Sequence, residues 1–187
     1  MEALKDHGTA ASGRRLPTLA TALRERARSR PLQRAYVFLA DGEEEHEHLT
    51  WGGLDERARA IAASLSRSCS PGDRALLLHP PGLDFVAAFF GCLYAGVIAV
   101  PAYPPRSPRT LPRLRAILDD AEPGIVMTNS ATAGRLMKGD SRLLSVPVLR
   151  VDGLPAERAA QWRDPQPEPE DIAFLQYTSG STTSPGG

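Results

Sequence analysis

A chain of 187 residues with 42% hydrophobic and 24% charged residues has the composition of one ordinary globular domain. Lysine and arginine together number 22, as do aspartate and glutamate, so the formal net charge is zero and no basic excess predicts a nucleic-acid partner. Cys69 and Cys92 form no CxxC pair and no Cys/His cluster with zinc spacing, which favours two reduced, buried thiols in a cytoplasmic protein.

The N-terminal residues predict a tail followed by a helix. Residues 1–15 mix charged and small side chains and lack the apolar stretch of a secretory signal, so we expect a flexible tail. Apolar residues at helical spacing then predict an amphipathic helix over 16–30, which Pro31 ends.

A β-hairpin is predicted next. Its two strands are 35–40 and 48–51, its turn is Asp41-Gly42, and a solvated acidic stretch occupies 43–47. His46 and His48 lie two residues apart and would share one face of a strand. Two imidazoles could bind a metal, but the sequence offers no evident third ligand. Solvated hairpin histidines are therefore the favoured interpretation.

From Thr50 onwards, predicted helices and strands alternate. Thr50 is the predicted N-cap of a helix whose apolar stripe consists of Leu54, Ala58, Ile61, Ala62 and Leu65. The predicted core strands are 73–78, 97–100, 124–128, 146–151 and 171–177, and the predicted helices between them are 84–95, 110–120 and 131–138. A proline-rich acidic stretch at 153–169 is predicted to be a surface connection. The alternation predicts an α/β fold with a layered, largely parallel sheet flanked by helices.

The run from Phe85 to Val100 contains only apolar residues and glycine, over 16 positions. A membrane-spanning helix needs about 20 such residues, and Pro101 closes this run. Gly96 divides it into a helix-favouring part and the β-branched segment 97–100. We therefore predict a buried helix, a glycine C-cap and a buried strand, and no transmembrane segment.

Polar residues near the predicted strand ends are weaker candidates for a site. His79 follows the first core strand, on the side where ligands of α/β sheets bind, and is either a loop histidine or a residue that lines a site. Four arginines bracket a proline-rich loop and could contact a phosphate or an acidic carrier domain, or could belong to a solvated helix start: Arg106, Arg109, Arg113 and Arg115.

The strongest functional signal lies in residues 178–187, which contain six hydroxyl side chains and three glycines. Glycines let backbone N–H groups approach an anion, and hydroxyl groups donate hydrogen bonds to phosphate oxygens. The loop is not a Walker A motif, because GxxxxGK[ST] is absent. Composition alone is also typical of a flexible linker, but the position directly after a predicted buried strand favours a phosphate-binding loop.

Four segments, in order, resemble the adenylate-forming enzymes, which form the AMP-dependent synthetase and ligase superfamily. Residues 171–182 (DIAFLQYTSGST) resemble the phosphate-loop signature of that family. Residues 49–62 resemble its early helix, residues 71–74 resemble the turn into its first core strand, and residues 89–105 resemble its second core motif. The sequence of 89–105, together with 174–177, most resembles the fatty acyl-AMP ligases. The resemblance identifies residues 16–187 as the N-terminal part of an adenylation domain.

The resemblance implies an enzyme, an acid–AMP ligase, that uses ATP and Mg²⁺ to convert a fatty acid into an acyl adenylate and pyrophosphate. It further implies that the acyl group passes to an acyl carrier protein rather than to coenzyme A, in polyketide or lipopeptide biosynthesis. Positioning and charge neutralisation dominate such phosphate chemistry, so a loop rich in hydrogen-bond donors suits it.

The matching residues imply a binding site for the ATP phosphates at Thr178, Ser179, Gly180, Ser181, Thr182 and Thr183. In the family, the magnesium ligand, the acyl tunnel and the catalytic lysine follow the phosphate loop, so the resemblance places no catalytic residue and no metal ligand in this chain. We therefore expect the chain, truncated in that loop, to be inactive by itself. Many relatives have Pro-Lys-Gly where this chain has Pro185-Gly186-Gly187, so the usual lysine charge is missing.

A second function class remains open at this point. The chain could be a non-catalytic α/β module, or a degenerate paralogue, that binds a nucleotide, an acyl chain or a protein partner. An enzyme requires acidic and lysine-bearing motifs after Gly187, whereas a module does not.

Overall fold

The computed structural model describes residues 17–39, 42–105, 107–136 and 145–178, and the predicted tail at 1–15 lies outside them. The helices and strands follow in the order α1 (Leu19–Ser29), β1 (Arg34–Leu39), β2 (Glu45–Thr50), α2 (Trp51–Leu65), β3 (Arg74–Leu78), α3 (Leu83–Ala95), β4 (Ile98–Ala102), α4 (Leu111–Ala121), β5 (Ile125–Thr128), α5 (Ser130–Leu136) and β6 (Val148–Arg150). Short 3-10 helices occupy Pro108–Thr110 and Ala156–Gln161. The predicted alternation of strands and helices is confirmed within these ranges.

Local capping interactions fix where several helices begin and end. The Thr50 side chain accepts a hydrogen bond from the Gly53 N–H at 3.1 Å, which confirms the predicted N-cap of α2. α3 ends at Gly96, whose φ of 67° lies in the left-handed region that glycine adopts without a Cβ penalty. The apolar run is thus a helix, a glycine and a strand, as predicted. Within the described ranges, no helix combines the length and apolar content needed to cross a membrane.

β1 and β2 form the predicted antiparallel hairpin, with Arg34 opposite Thr50 and Leu39 opposite Glu45. β2 begins at Glu45, earlier than the predicted return strand at 48–51. Glu43, Glu44, Glu45 and Glu47 are exposed, as predicted for a solvated acidic stretch. The extension comes from backbone pairing of Leu39 with Glu45, and the Arg34 guanidinium also donates to the Glu45 carboxylate at 2.8 Å.

The central sheet is parallel, and its described strands follow the order β4-β3-β5-β6. Side chains of β3 alternate between two faces. Ala75 and Leu77 pack against α2 and α3, whereas Leu76 and Leu78 pack against α4. All four are fully buried, as expected for a parallel strand with helices on both faces. The predicted apolar stripe of α2 is buried in the first of these two layers.

Residues 171–178, named here the edge segment, lie beside β4 at the edge of the sheet. The predicted strand over 171–177 is reduced to one parallel bridge, between Ala99 and Phe174. The Ile98 N–H donates to Asp73 on the β3 side, so the N–H positions of Ala99 and Pro101 face the edge segment. Proline has no N–H to donate, and the ladder therefore cannot continue past Ala99 in the regular pattern.

The connection over 153–169 is anchored more firmly than the sequence predicts. Its Trp162 ring stacks on Tyr94 of α3, with centroids 5.0 Å apart, and the indole N–H donates to the Tyr94 carbonyl at 2.9 Å. The Arg24 guanidinium lies over the same indole, 5.2 Å from its centroid, and pairs with Asp164. Most residues of 153–169 are exposed, as predicted for a surface connection, and the partly buried Trp162 additionally joins α1 and α3.

α2 and α3 approach closely because α3 carries a glycine at their contact. A Cβ added at Gly91 would lie 2.7 Å from the Cβ of Ile61, which is closer than real side chains allow. Ile61 is buried in the apolar stripe of α2. The absence of a side chain at Gly91 thus sets the spacing of the layer that covers β3.

We predict that Gly91→Ala destabilises the fold by about 1–3 kcal/mol, because overpacking against Ile61 exceeds the gain in helix propensity. Gly134→Ala in α5 is the matched control, since its added Cβ would meet nothing within 4 Å. That variant should be neutral or more stable by up to about 1 kcal/mol. Urea unfolding followed by fluorescence of Trp51 and Trp162 measures both. A Gly91→Ala variant as stable as the parent chain would contradict the prediction.

Candidate functional site at the carboxyl edge of the sheet

The carboxyl ends of the parallel strands meet at one edge of the sheet, where ligands of α/β folds bind. β3 ends at Leu78, β4 at Ala102, β5 at Thr128 and β6 at Arg150. The edge segment runs parallel to β4 and brings Thr178 to the same edge. This edge is the candidate site.

Hydrogen bonds hold the strand ends together at this edge. The Thr128 hydroxyl donates to the Leu78 carbonyl at 2.5 Å, which links β5 to β3. The Val151 N–H donates to the Thr128 carbonyl at 2.9 Å, which links β6 to β5. Thr128 is fully buried, so its hydroxyl is a structural tie between strand ends and not a group that contacts solvent.

The edge segment leads the chain into the predicted phosphate loop. The Ala99 N–H donates to the Ala173 carbonyl at 3.1 Å, and the Leu175 N–H donates to the Ala99 carbonyl at 2.9 Å. Thr178 is exposed at the end of this segment. The other residues of the predicted phosphate site, Ser179, Gly180, Ser181, Thr182 and Thr183, lie outside the described residues.

Side chains of α4 contact the edge segment immediately before Thr178. The Arg113 guanidinium donates to the Tyr177 carbonyl at 3.3 Å. The Tyr177 hydroxyl donates to the Asp120 carboxylate. Among the four candidate arginines, Arg109, Arg113 and Arg115 are exposed, as expected of a solvated helix start, and Arg106 lies outside the described residues. The contact between Arg113 and Tyr177 could not be predicted from a sequence pattern, because the two residues are 64 positions apart.

His79 lies directly after β3 and is 3% exposed. Neither ring nitrogen has a hydrogen-bond partner among the described residues. Burial lowers the pKa of His79 to about 4, although the nearby Asp84 and Asp152 raise it; Arg57 lowers it further. His79 is therefore a neutral, buried imidazole at the carboxyl edge.

Of the two hairpin histidines, His48 lies beside an acidic side chain of the same strand. His48 Nδ1 lies 3.2 Å from a Glu45 carboxylate oxygen, and both side chains are largely exposed. The side chain of His46 is not among those described. Over the described residues, no group of three His, Cys, Asp or Glu side chains could hold a metal ion.

The fold and the position of the edge segment agree with the family that the sequence matches. The chain matches the AMP-binding enzyme family over residues 23–187. This match covers most of the chain, and the chain belongs to that family of adenylate-forming enzymes.

Two curated proteins are similar to this chain over most of its length. The chain is 44% identical over 177 residues to the medium-chain-fatty-acid–acyl-carrier-protein ligase JamA of Moorena producens, covering 91% of this chain and 30% of JamA. It is 38% identical over 169 residues to the long-chain-fatty-acid–AMP ligase FadD32 of Mycobacterium marinum, covering 86% and 27% of the two chains. The chain thus spans under a third of the length of these curated relatives.

A solved structure shows the same fold. The crystal structure of a fatty acyl-adenylate ligase from L. pneumophila, in complex with acyl adenylate and pyrophosphate, superposes with a TM-score of 0.79 at 40% sequence identity. The superposition covers 88% of this chain and 28% of that one. The described sheet and helices therefore have the arrangement found in an N-terminal part of an adenylate-forming enzyme.

The buried imidazole predicts a pH dependence of stability. The pKa of His79 is about 4 in the folded chain and about 6.5 when unfolded, so unfolding takes up a proton as the pH falls between these values. The contribution of neutral His79 to the free energy of unfolding is fully present above the unfolded pKa. It decreases below that pKa, by about 2 kcal/mol near pH 5.

His79→Phe removes this titration while Asp84, Asp152 and Arg57 remain. Comparison of urea midpoints for the parent chain and His79→Phe, near neutral pH and near pH 5, isolates the histidine. We expect the change to pH 5 to lower the free energy of unfolding of the parent chain by about 2 kcal/mol more than that of the variant. Equal acid sensitivity of both chains would show that His79 is not buried as a neutral group.

Proposed function

We propose that the protein to which this chain belongs activates a fatty acid with ATP, forming an acyl adenylate and pyrophosphate. The observation that carries the proposal is the match of 88% of this chain to the L. pneumophila enzyme whose structure is in complex with those two products. The names of the two curated relatives, an acyl-carrier-protein ligase and an AMP ligase of fatty acids, support the same substrate class.

In this reaction, a carboxylate oxygen of the fatty acid attacks the α-phosphorus of ATP. The bond from that phosphorus to the bridging oxygen breaks, and pyrophosphate leaves with the electron pair. Hydrogen-bond donors aimed at the leaving pyrophosphate favour the reaction because they stabilise charge that increases on it. Mg²⁺ would neutralise charge on the phosphates, and over the described residues no group of three His, Cys, Asp or Glu side chains could hold it.

We assign the binding of the ATP phosphates to residues 178–183. The support is their position after the edge segment, at the carboxyl edge where the strand ends meet. Hydroxyl groups at five of these six positions can donate to phosphate oxygens, and Gly180 allows the backbone to approach closely. The lysine that many relatives carry further along the loop is absent here, so neutral donors contribute more of the binding.

The acceptor of the acyl group is proposed to be an acyl carrier protein, as the name of JamA indicates for that relative. A role in polyketide or lipopeptide assembly follows from an acceptor of this kind. We place the protein in the cytoplasm, which agrees with Cys69 and Cys92 being free and buried.

The first test incubates the complete gene product that contains this chain with ATP, Mg²⁺ and fatty acids of increasing length. Mass spectrometry then measures acyl adenylate with and without coenzyme A. We expect adenylate to accumulate and to be unaffected by coenzyme A. Conversion to acyl-coenzyme A would retain the adenylation step and overturn the proposed acceptor. A folded protein that forms no adenylate with any acid would overturn the function and favour a binding module.

The assigned loop is tested by Ser181→Ala. Loss of one hydrogen bond to a charged phosphate should lower kcat/KM for ATP by about tenfold or more, because such bonds contribute about 1.5–3 kcal/mol. Ser68→Ala, at an exposed position after α2, is the matched control and should leave the kinetics unchanged. An unchanged kcat/KM in Ser181→Ala would remove this residue from the phosphate site.

A further inference from the structure

We propose that α4 acts as a clamp that positions the start of the phosphate loop, through Arg113 and Asp120. The inference rests on the proposed function in one respect, namely that the chain after Tyr177 binds the ATP phosphates. Its structural part stands on the contacts of α4 with the edge segment.

The clamp is needed because the sheet itself stops holding the edge segment. Backbone hydrogen bonds join Ala99 to Ala173 and to Leu175. The next position of β4 that faces the segment is Pro101. Because proline has no N–H, the Leu175 carbonyl accepts no hydrogen bond from it. The residues that follow Leu175 therefore need another means of attachment before the loop begins.

Two α4 side chains supply that attachment at Tyr177. Arg113 donates to its carbonyl at 3.3 Å, and Asp120 accepts from its hydroxyl. Arg113 and Asp120 are seven residues apart, which places them on the same face of α4, two turns from one another. A single helix thus contacts both the backbone and the side-chain end of one residue.

Packing on the two faces of the edge segment holds its orientation. Leu175 and Tyr177 contact the apolar cluster that includes the α4 residues Leu114 and Ile117. Phe174 points to the other face, where its ring meets Phe89 of α3 edge-on at 5.7 Å between centroids. The alternation of these contacts is that of an extended strand, so Tyr177 cannot rotate away from α4 without breaking one of them.

The Arg113 contact has a direct consequence for Thr178. The peptide unit between Tyr177 and Thr178 is planar and trans, so its carbonyl and its N–H point in opposite directions. When Arg113 fixes the carbonyl toward α4, the Thr178 N–H must point away from α4. The guanidinium therefore sets the direction of the first backbone donor of the loop without contacting a ligand.

The tyrosine hydroxyl remains a donor over the whole working pH range. Burial and the hydrogen bond to Asp120 raise the pKa of Tyr177 to about 12. Arg113 also remains charged, as arginine does in proteins. The clamp is therefore a permanent positioning device and not a pH switch.

Hydrogen exchange tests positioning directly, on the complete gene product without nucleotide. Peptides that cover 171–178 are followed by mass spectrometry in the parent protein, in Arg113→Met and in Tyr177→Phe. We expect exchange in these peptides to be about fivefold faster or more in both variants, in proportion to the loss of one hydrogen bond. Tyr36→Phe, which removes a hydroxyl in β1, is the matched control and should leave this exchange unchanged.

Kinetics with ATP and a fatty acid then connect the clamp to the loop. Arg113→Met should raise the KM for ATP about fivefold or more, and Arg113→Lys, which retains a cationic donor, should recover part of the loss. Tyr177→Phe removes only a hydroxyl group, so it tests the clamp even where Arg113→Met does not fold.

The outcomes separate the clamp from the proposed function. Unchanged exchange over 171–178 in both variants overturns the clamp, whatever the kinetics. A raised KM in Arg113→Met without faster exchange also overturns it, because Arg113 would then contact the nucleotide itself. If the parent protein forms no adenylate but the exchange changes as expected, the proposed function fails and the structural clamp stands.

Discussion

The parallel pairing of β3 with β4 and β5 is the constraint on which the other features depend. Parallel strands need crossover connections, and the crossovers here are α3 and α4, one on each face of β3. Because both faces are covered, β3 can be apolar from Ala75 to Leu78. Because the strands run in one direction, their carboxyl ends share one edge, and the polar groups of the candidate site are gathered there.

The elements of this fold are those whose signals are local in sequence. The stripe on α2, the cap at Thr50 and the glycine at position 96 each act within a few residues of the helix that they define, and each prediction is confirmed. Continuous apolar strands such as 73–78 were also predicted, since burial on two faces requires no long-range information. A sequence pattern is sufficient wherever the interaction that it encodes is local.

The features that the sequence did not predict depend on pairs of residues far apart in the chain. Trp162 and Tyr94 are 68 residues apart, and Arg113 and Tyr177 are 64 apart, so neither pair produces a periodic pattern. The strand over 171–177 was predicted from its own apolar residues, but its pairing is limited by a proline in its neighbour. Of the predicted phosphate site, only Thr178 lies among the described residues, and its assignment rests on family resemblance and on its place at the edge.

Pro101 explains why an arginine and a carboxylate, rather than a backbone ladder, lead the chain into the loop. A ladder that continued past Ala99 would fix Leu175 and Tyr177 in strand geometry and would carry that geometry toward Thr178. Proline interrupts the ladder on this side only, because the Ile98 side of β4 still pairs with β3. The chain is then free of the ladder before the proposed phosphate loop begins. The edge segment is therefore held by few backbone hydrogen bonds. Hydrogen bonds from α4 side chains to Tyr177, the last residue before Thr178, offset that loss.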